Sequence, residues 1–274
     1  MHLTAVIPWH YILPSPVPPT PTLNPELYRG TSTMTLLIRA TMGALLALAC
    51  LCKAWAIDAG TLEKLLPLAQ QSNPEAQYHV GMLHNNGIGG APKDAQKAFA
   101  WFLMSAHGGD PLGAYKAGCY FAGQFGTVAI DKEQALHWKL LAAKAGYSLA
   151  QYDVAGMFAK AMDREQARHW WKLAADQGFA QAAFNLAIAQ SKEPNADKVQ
   201  AYTYLKIAGL LEPRMLNPSI QAFRDNLVAQ LTAQQMSQAE VVVSAWKPQP
   251  THLSQQAREG AARIDALLEK PRSE

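Results

Sequence analysis

Histidines, cysteines and one glycine-rich loop are the residues of this sequence whose types and spacing could do chemistry. The loop, Gly87 to Pro92, follows a helical pattern rather than a strand, and no Lys-Ser/Thr pair follows it to hold a phosphate. Neither a Gly-x-Ser-x-Gly nucleophile elbow nor a His-Glu-x-x-His zinc motif occurs. We interpret the loop as a turn between helices and predict no catalytic set and no cofactor.

The histidines do not form a pattern that would chelate a metal. His79 and His84 are five residues apart, so they point to different faces of one helix. His137 and His169 each precede a tryptophan at equivalent positions of neighbouring segments, about a helix pair apart, which is too far to share a metal without other ligands. The sequence predicts exposed helix histidines and no metal site.

The N-terminal 56 residues differ in composition from the rest of the chain. Residues 1–33 hold seven prolines, which is typical of an extended or disordered extension, and Met34 is an alternative start. Residues 34–56 resemble a signal peptide, with Arg39, an apolar run of eleven residues and a small-x-small site ending at Ala56. The run is shorter than the roughly 20 residues that span a bilayer. We therefore predict cleavage after Ala56 and a periplasmic or secreted protein of a Gram-negative-like envelope.

Two alternatives for this segment stay open. Cys50 or Cys52 could be lipidated, although neither has a leucine three residues before it, as a good lipobox would. An uncleaved anchor is the other alternative. Membrane association is expected only in these two cases. Without the segment, Cys119 is alone, so no internal disulfide can form, and we interpret it as a small buried apolar residue.

The charge balance excludes one class of partner. The chain carries a formal charge of +3. Residues 1–56 contain three basic residues and one acidic residue, so their removal leaves a net charge of +1. A nearly neutral chain does not suggest a nucleic-acid binder, which would present a basic surface.

The segment between Pro74 and Leu211 repeats itself, at intervals of 37 and then 32 residues. One aromatic residue recurs in the first helix of each unit. A second aromatic residue recurs in the second helix, three residues after an alanine. In the first three units, a glycine lies eight residues after this second aromatic residue. The first-helix aromatics are Tyr78, Tyr115, Tyr152 and Phe184, the second-helix aromatics are Trp101, Trp138, Trp170 and Tyr204, and the glycines are Gly109, Gly146 and Gly178.

Each recurring residue has a physical reason. Ala-x-x-Trp places a small and a large residue on one helix face, so the paired helix can approach while the tryptophan fills the space between units. The glycine fits a left-handed turn after the second helix. Gly81 and Gly118 lie three residues after the first-helix aromatic, where their cost to the helix suggests a compensating close contact.

These segments, best seen in Ala76–Trp101, Ala135–Gly146 and Ala167–Gly178, resemble the Sel1-like repeat, a relative of the tetratricopeptide repeat. The resemblance implies an all-α fold, a right-handed α/α superhelical solenoid of stacked antiparallel helix pairs. It also implies a scaffold for protein or peptide partners rather than an enzyme. The third unit lacks the Gly-x-Gly loop and the fourth lacks the final glycine.

By analogy with tetratricopeptide repeats, the first-helix aromatics face a concave groove in which a partner could lie. The alternative is that these aromatics pack between units and set the curvature of the superhelix. The candidate groove residues are Tyr78, Met82, Asn85, Tyr115, Cys119, Tyr152 and Phe184.

The predicted organisation has four parts: the extension 1–33, the signal peptide 34–56, the solenoid 57–211 and capping helices with a polar tail at 212–274. The solenoid comprises a leading helix and units at about 74–110, 111–147, 148–179 and 180–211. Terminal elements with polar outer faces are what a solenoid needs to end its stack.

Two further functions remain as alternatives to the exported scaffold. A lipoprotein in an envelope assembly, such as exopolysaccharide export machinery, would use Cys50 or Cys52. A β-lactamase-like hydrolase is implied by a cysteine-rich branch of the family, but that branch has a cysteine pair in each repeat, and this chain has a single cysteine after residue 56.

Overall fold

The computed structural model describes residues 57–192, 197–215 and 217–269, and these form thirteen α-helices, one short 3-10 helix and no strand. The predicted extension and signal peptide, with Cys50 and Cys52, lie outside the described residues. The helices are α1 Thr61–Gln70, α2 Pro74–Asn86, α3 Ala95–His107, α4 Pro111–Phe121, α5 Lys132–Lys144, α6 Ser148–Lys160, α7 Arg164–Asp176, α8 Ala180–Ser191, α9 Lys198–Leu211, α10 Pro218–Val228, α11 Ala233–Ala245, α12 His252–Glu259 and α13 Ala262–Glu269.

The four repeat units are the helix pairs α2–α3, α4–α5, α6–α7 and α8–α9, each packed against the next. This arrangement confirms the predicted all-α solenoid. Short polar residues start most of these helices by accepting a backbone N–H with their side chains, as N-caps do. The residues that cap in this way are Asn73, Asp94, Asp110, Asp131, Asp163 and Asp197.

The second-helix landmarks pack as the repeat predicts. The alanines three residues before the aromatics, Ala98, Ala135, Ala167 and Ala201, are at most 1% exposed. Trp138 and Trp170 are buried, and Trp101 packs at the edge of the apolar cluster that joins α1 to the first unit. Small and large side chains therefore alternate along one continuous helical stack.

The glycines of the first helices mark close approaches between paired helices. A Cβ atom on Gly81 would lie 2.7 Å from the Phe102 ring, and one on Gly118 would lie 2.8 Å from Cγ of Lys139. The third and fourth units have Ala155 and Ala187 at the same position, both fully buried. The predicted compensation for glycine in these helices is confirmed.

Additional helices cover both ends of the stack. At the first end, α1 packs on α2, and at the far end α10 and α11 pack on α9. The capping box between Thr232 and Gln235 starts α11 as the sequence predicts. Among the described residues, no helix combines the length and the hydropathy that crossing a membrane requires.

The last two helices take a course that the sequence did not indicate. Residues 247–269, here called the C-terminal strap, run back along the edge formed by the turns between units and reach α1 and α2. The backbone N–H of Gln249 donates to the carbonyl of Asp176, and Ile264 is buried beside Leu65 and Val80. The strap therefore connects the third unit to the first, whereas a polar tail or a further capping helix was expected.

Candidate functional site

The predicted groove residues divide between buried and half-buried positions. Met82, Tyr115 and Cys119 are at most 7% exposed. The other four are half-buried, and they are Tyr78, Asn85, Tyr152 and Phe184. They do not form one cluster, because Tyr78 and Met82 pack with Phe102, Tyr115 packs with Cys119, and Tyr152 packs beside Phe184.

A polar contact joins the second and third units. Asp153 accepts hydrogen bonds from the Tyr115 hydroxyl at 3.2 Å and from Lys139 Nζ at 2.6 Å. Because Lys139 is nearly fully buried, this ion pair is shielded from solvent and holds the two units in register. Burial raises the pKa of the neighbouring Cys119 thiol, so it stays protonated at neutral pH and is a poor nucleophile.

The surface formed by the first helices of the units is uncovered at the third unit. Gly156 follows Tyr152 by one helical turn, and a Cβ atom on it would meet no atom within 4 Å. The side-chain amide of Asn185, in the fourth unit, lies beside the Tyr152 side chain. The third and fourth units thus present a mixed apolar and polar surface that no part of the described chain covers at Gly156.

A second feature is a cavity of about 90 Å³ between the strap and the first two units. Its walls are the start of α2, the start of α4 and helices α12 and α13 of the strap. The polar residues that line it are Glu75, Tyr78, His79, Asp110, Gln256 and Arg263.

Two of the charged residues that line this cavity neutralise each other. Arg263 donates to Glu75 through Nε at 2.8 Å and through Nη2 at 3.1 Å, a two-pronged ion pair between the strap and α2. Asp110 has no such cation, although its Oδ1 accepts the backbone N–H groups of Leu112 and Gly113. Burial raises the pKa of Asp110 to about 6 in spite of these two bonds.

The prediction of exposed histidines is wrong for His79 and His84. His84 is buried, with Nδ1 3.1 Å from the carbonyl of Pro92. His79 is 2% exposed, its Nδ1 has no hydrogen-bond partner, and burial lowers its pKa to about 4. The strap covers this part of α2, which the local helical pattern could not indicate. His137 and His169 are exposed, as expected.

Sequence reasoning therefore missed the cavity. The two residues that contribute charge from the first units, Glu75 and Asp110, were each interpretable only as helix-start residues. Arg263, the third, is 188 residues from its partner. Among the described residues, no group of three His, Cys, Asp or Glu side chains is arranged to hold a metal ion.

Comparison with known proteins agrees with the helix-pair repeat. The Sel1 repeat family model matches residues 74–110, 111–147, 148–179 and 180–212. No curated protein matches the chain. The structure resembles that of c5321, a protective antigen present in uropathogenic Escherichia coli strains that displays an SLR fold, with 26% identity and a TM-score of 0.55. That similarity covers 78% of this chain and 44% of the antigen, so this chain spans less than half the length of that protein.

A Sel1 repeat protein from Oxalobacter formigenes is 29% identical over 46% of this chain and 96% of its own length, with a TM-score of 0.42. The family is typically non-catalytic, and its repeats mediate protein interactions. With four consecutive matches over half of its length, this chain belongs to the Sel1 repeat family.

Proposed function

We propose that this protein is an exported scaffold that holds a protein partner on the first-helix face of its third and fourth repeat units. The observation that carries the proposal is the open position at Gly156, flanked by the half-buried side chains of Tyr152 and Phe184. Aromatic side chains beside an uncovered surface are typical of sites where a peptide or helix docks.

The first two units are less suited to the same role. Met82 and Cys119, which occupy the position equivalent to Gly156, are buried. Tyr120 of the second unit also donates a hydrogen bond to Asn85, so this polar side chain is already engaged. The proposed contact surface therefore narrows the sequence-based groove to its second half, around Tyr152, Gly156 and Phe184.

Site-directed photo-crosslinking in the producing cell tests the contact surface. A photoreactive residue in place of Gly156 should give one defined adduct, because it projects into open space without disturbing the stack. The same residue in place of Leu141, which is exposed on a second helix, is the matched control. Equal adducts from both positions, or none from either, would contradict the proposed surface.

Export rests on the N-terminal pattern of Arg39, the apolar run and Ala56. The protein recovered from the periplasm or medium should begin at Ile57, as N-terminal sequencing would show. A diacylated Cys50 or Cys52 would instead favour the lipoprotein alternative, and Cys→Ala variants separate the two by membrane fractionation. A protein retained in the cytoplasm with residues 1–56 intact would refute export.

A further inference from the structure

The cavity beneath the C-terminal strap is not used by the proposed scaffold function, and it has the features of a built site. It lies where three separate parts of the chain meet: the start of α2, the start of α4 and the two strap helices. The strap is held on the first unit there by the Glu75–Arg263 ion pair and by Ile264, which is buried beside Leu65 and Val80.

Two polar groups that line the cavity are incompletely paired within the described part of the chain: His79 lacks a hydrogen-bond partner at one nitrogen, and Asp110 lacks a cationic partner. His79 is 2% exposed, and its Nδ1 makes no hydrogen bond. An unpaired buried polar atom costs about 1–3 kcal/mol, so an occupant that pairs with it would be favoured. Asp110 receives backbone N–H groups on one carboxylate oxygen, Oδ1, and no cationic side chain pairs with it among the ion pairs of the described residues.

The charges that face the cavity select a cation. The pair of Glu75 and Arg263 is neutral in sum, His79 is uncharged at neutral pH, and Tyr78 is protonated because burial raises its pKa. Asp110 is ionised above pH 6 and is then the one net charge that the lining residues present. An anion would face this carboxylate directly, whereas a monocation with N–H donors would compensate it.

We propose that this cavity binds a primary ammonium group, on a small alkylamine or at the end of a lysine side chain. The ammonium nitrogen donates to the Asp110 carboxylate and to Nδ1 of His79, which is an acceptor when the imidazole proton is on Nε2. The volume of about 90 Å³ limits the occupant to a few heavy atoms, since a cavity of roughly 150 Å³ is needed for a benzene ring. A guanidinium group is less suitable, since Arg263 already supplies one at the rim.

The test is a titration of the full chain, labelled with ¹⁵N at histidine, with ethylammonium chloride at pH 7.5. The imidazole signals of His79 should shift and saturate, while those of exposed His137 and His169 should not. Ethanol, of similar size without the charge, should leave His79 unchanged. A lysine-containing peptide with blocked ends, titrated in parallel, shows whether the group can also come from a protein chain.

Asp110→Asn removes the charge but keeps a side chain that can cap α4, and it should weaken binding at least about tenfold, the effect of losing a hydrogen bond to a charged group. Asp131→Asn is the matched control, because Asp131 caps α5 in the same way outside the cavity. Lowering the pH of the wild-type titration to 5 should also weaken binding about tenfold, because Asp110 is then mostly protonated.

Three results would overturn the proposal. The first is a His79 signal that does not shift at concentrations below those that move His137 and His169. The second is an equal response to ethanol, and the third is an Asp110→Asn variant that binds as the wild type does. Because the site lies apart from Gly156, none of these results bears on the proposed partner surface.

Discussion

Two helical glycines of the repeat units occupy opposite environments although each lies in a first helix. A Cβ atom on Gly81 would come within 2.7 Å of two carbons of the Phe102 ring, and Phe102 is fully buried. A Cβ atom on Gly156 would meet nothing within 4 Å. The repeat pattern predicted the first contact, because Gly recurs at 81 and 118, whereas Gly156 stands outside that pattern.

Alanine substitutions should therefore change the free energy of unfolding in opposite directions. Gly81→Ala should destabilise the protein by about 1–3 kcal/mol, because the buried ring must move. Gly156→Ala should stabilise it by roughly 0.5–1 kcal/mol, because the helix gains an alanine without a clash. Urea denaturation of both variants measures the difference. Equal effects at the two positions would show that the close approach at Gly81 is not rigid.

Two titrating residues of the cavity give opposite pH dependences of stability. Burial lowers the pKa of His79 to about 4, so the unfolded chain takes up a proton first and stability falls as the pH drops from 6.5 to 4. Burial raises the pKa of Asp110 to about 6, so its contribution favours the folded state at low pH and is lost as the pH rises from about 4 to 6.

Removing Asp110 should expose the effect of His79. The Asp110→Asn variant should lose stability more steeply than the wild type as the pH falls from 6.5 to 4, since the opposing contribution is absent. The midpoints of urea denaturation at three pH values in this range measure how steeply the stability depends on pH. Asp131→Asn, which leaves both cavity residues in place, should keep the wild-type slope, and an unchanged slope in Asp110→Asn would contradict the assigned environment of this carboxyl group.

At the scale of elements, the sequence predicted every helix pair but not the course of the strap. Caps, alanines and tryptophans act within one helix or between neighbours, so their spacing is visible in the sequence. The contacts of the strap join residues about 75 to 190 positions apart and use serine, threonine and glutamine, whose side chains carry no periodic signal. His79 is buried because the strap covers it, and the sequence did not predict this burial for the same reason.

The strap depends on a small buried polar network. Ser254 is 2% exposed, accepts the backbone N–H of Ser148 at 3.0 Å and donates to Gln177 Oε1 at 2.6 Å. Thr251 donates to the carbonyl of Gly146, whose positive φ turn leaves room for it. A side chain on Gly146 would meet the Thr251 methyl group at 2.9 Å, so this turn glycine also serves the strap.

Ser254→Ala should therefore detach α12 locally. It leaves the buried backbone N–H of Ser148 without its acceptor and removes one of the hydrogen bonds to Gln177 Oε1, at a cost of about 1–3 kcal/mol. Hydrogen exchange should quicken across the strap and at the start of α6, while α8 and α9 keep their protection. Ser244→Ala is the control, since Ser244 is exposed and bonds only within its own helix. Similar exchange in both variants would contradict this role for Ser254.

At the scale of the whole molecule, the strap changes how the repeats depend on one another. In a simple solenoid each unit contacts only its neighbours, so the array can unfold from its ends. Here the strap contacts the third, second and first units in succession, through Asp176, Gly146 and Glu75. A contact between distant units couples their stabilities. Unfolding of one end of the array then destabilises the other end.

A stop codon in place of Lys247, which removes the strap, should make unfolding less cooperative. The first unit loses Ile264, Leu268 and the Arg263 ion pair, so α1 to α3 should exchange their amide hydrogens at lower urea concentration than α6 to α9. The urea dependence of the unfolding free energy should fall with the smaller cooperative unit. Gln255→Ala, which changes an exposed residue of the strap, should still unfold in a single transition that is the same by hydrogen exchange and by urea denaturation. If the truncated chain also unfolds in one transition by both measurements, the units are coupled through their stacked helices alone, and the strap only covers the cavity.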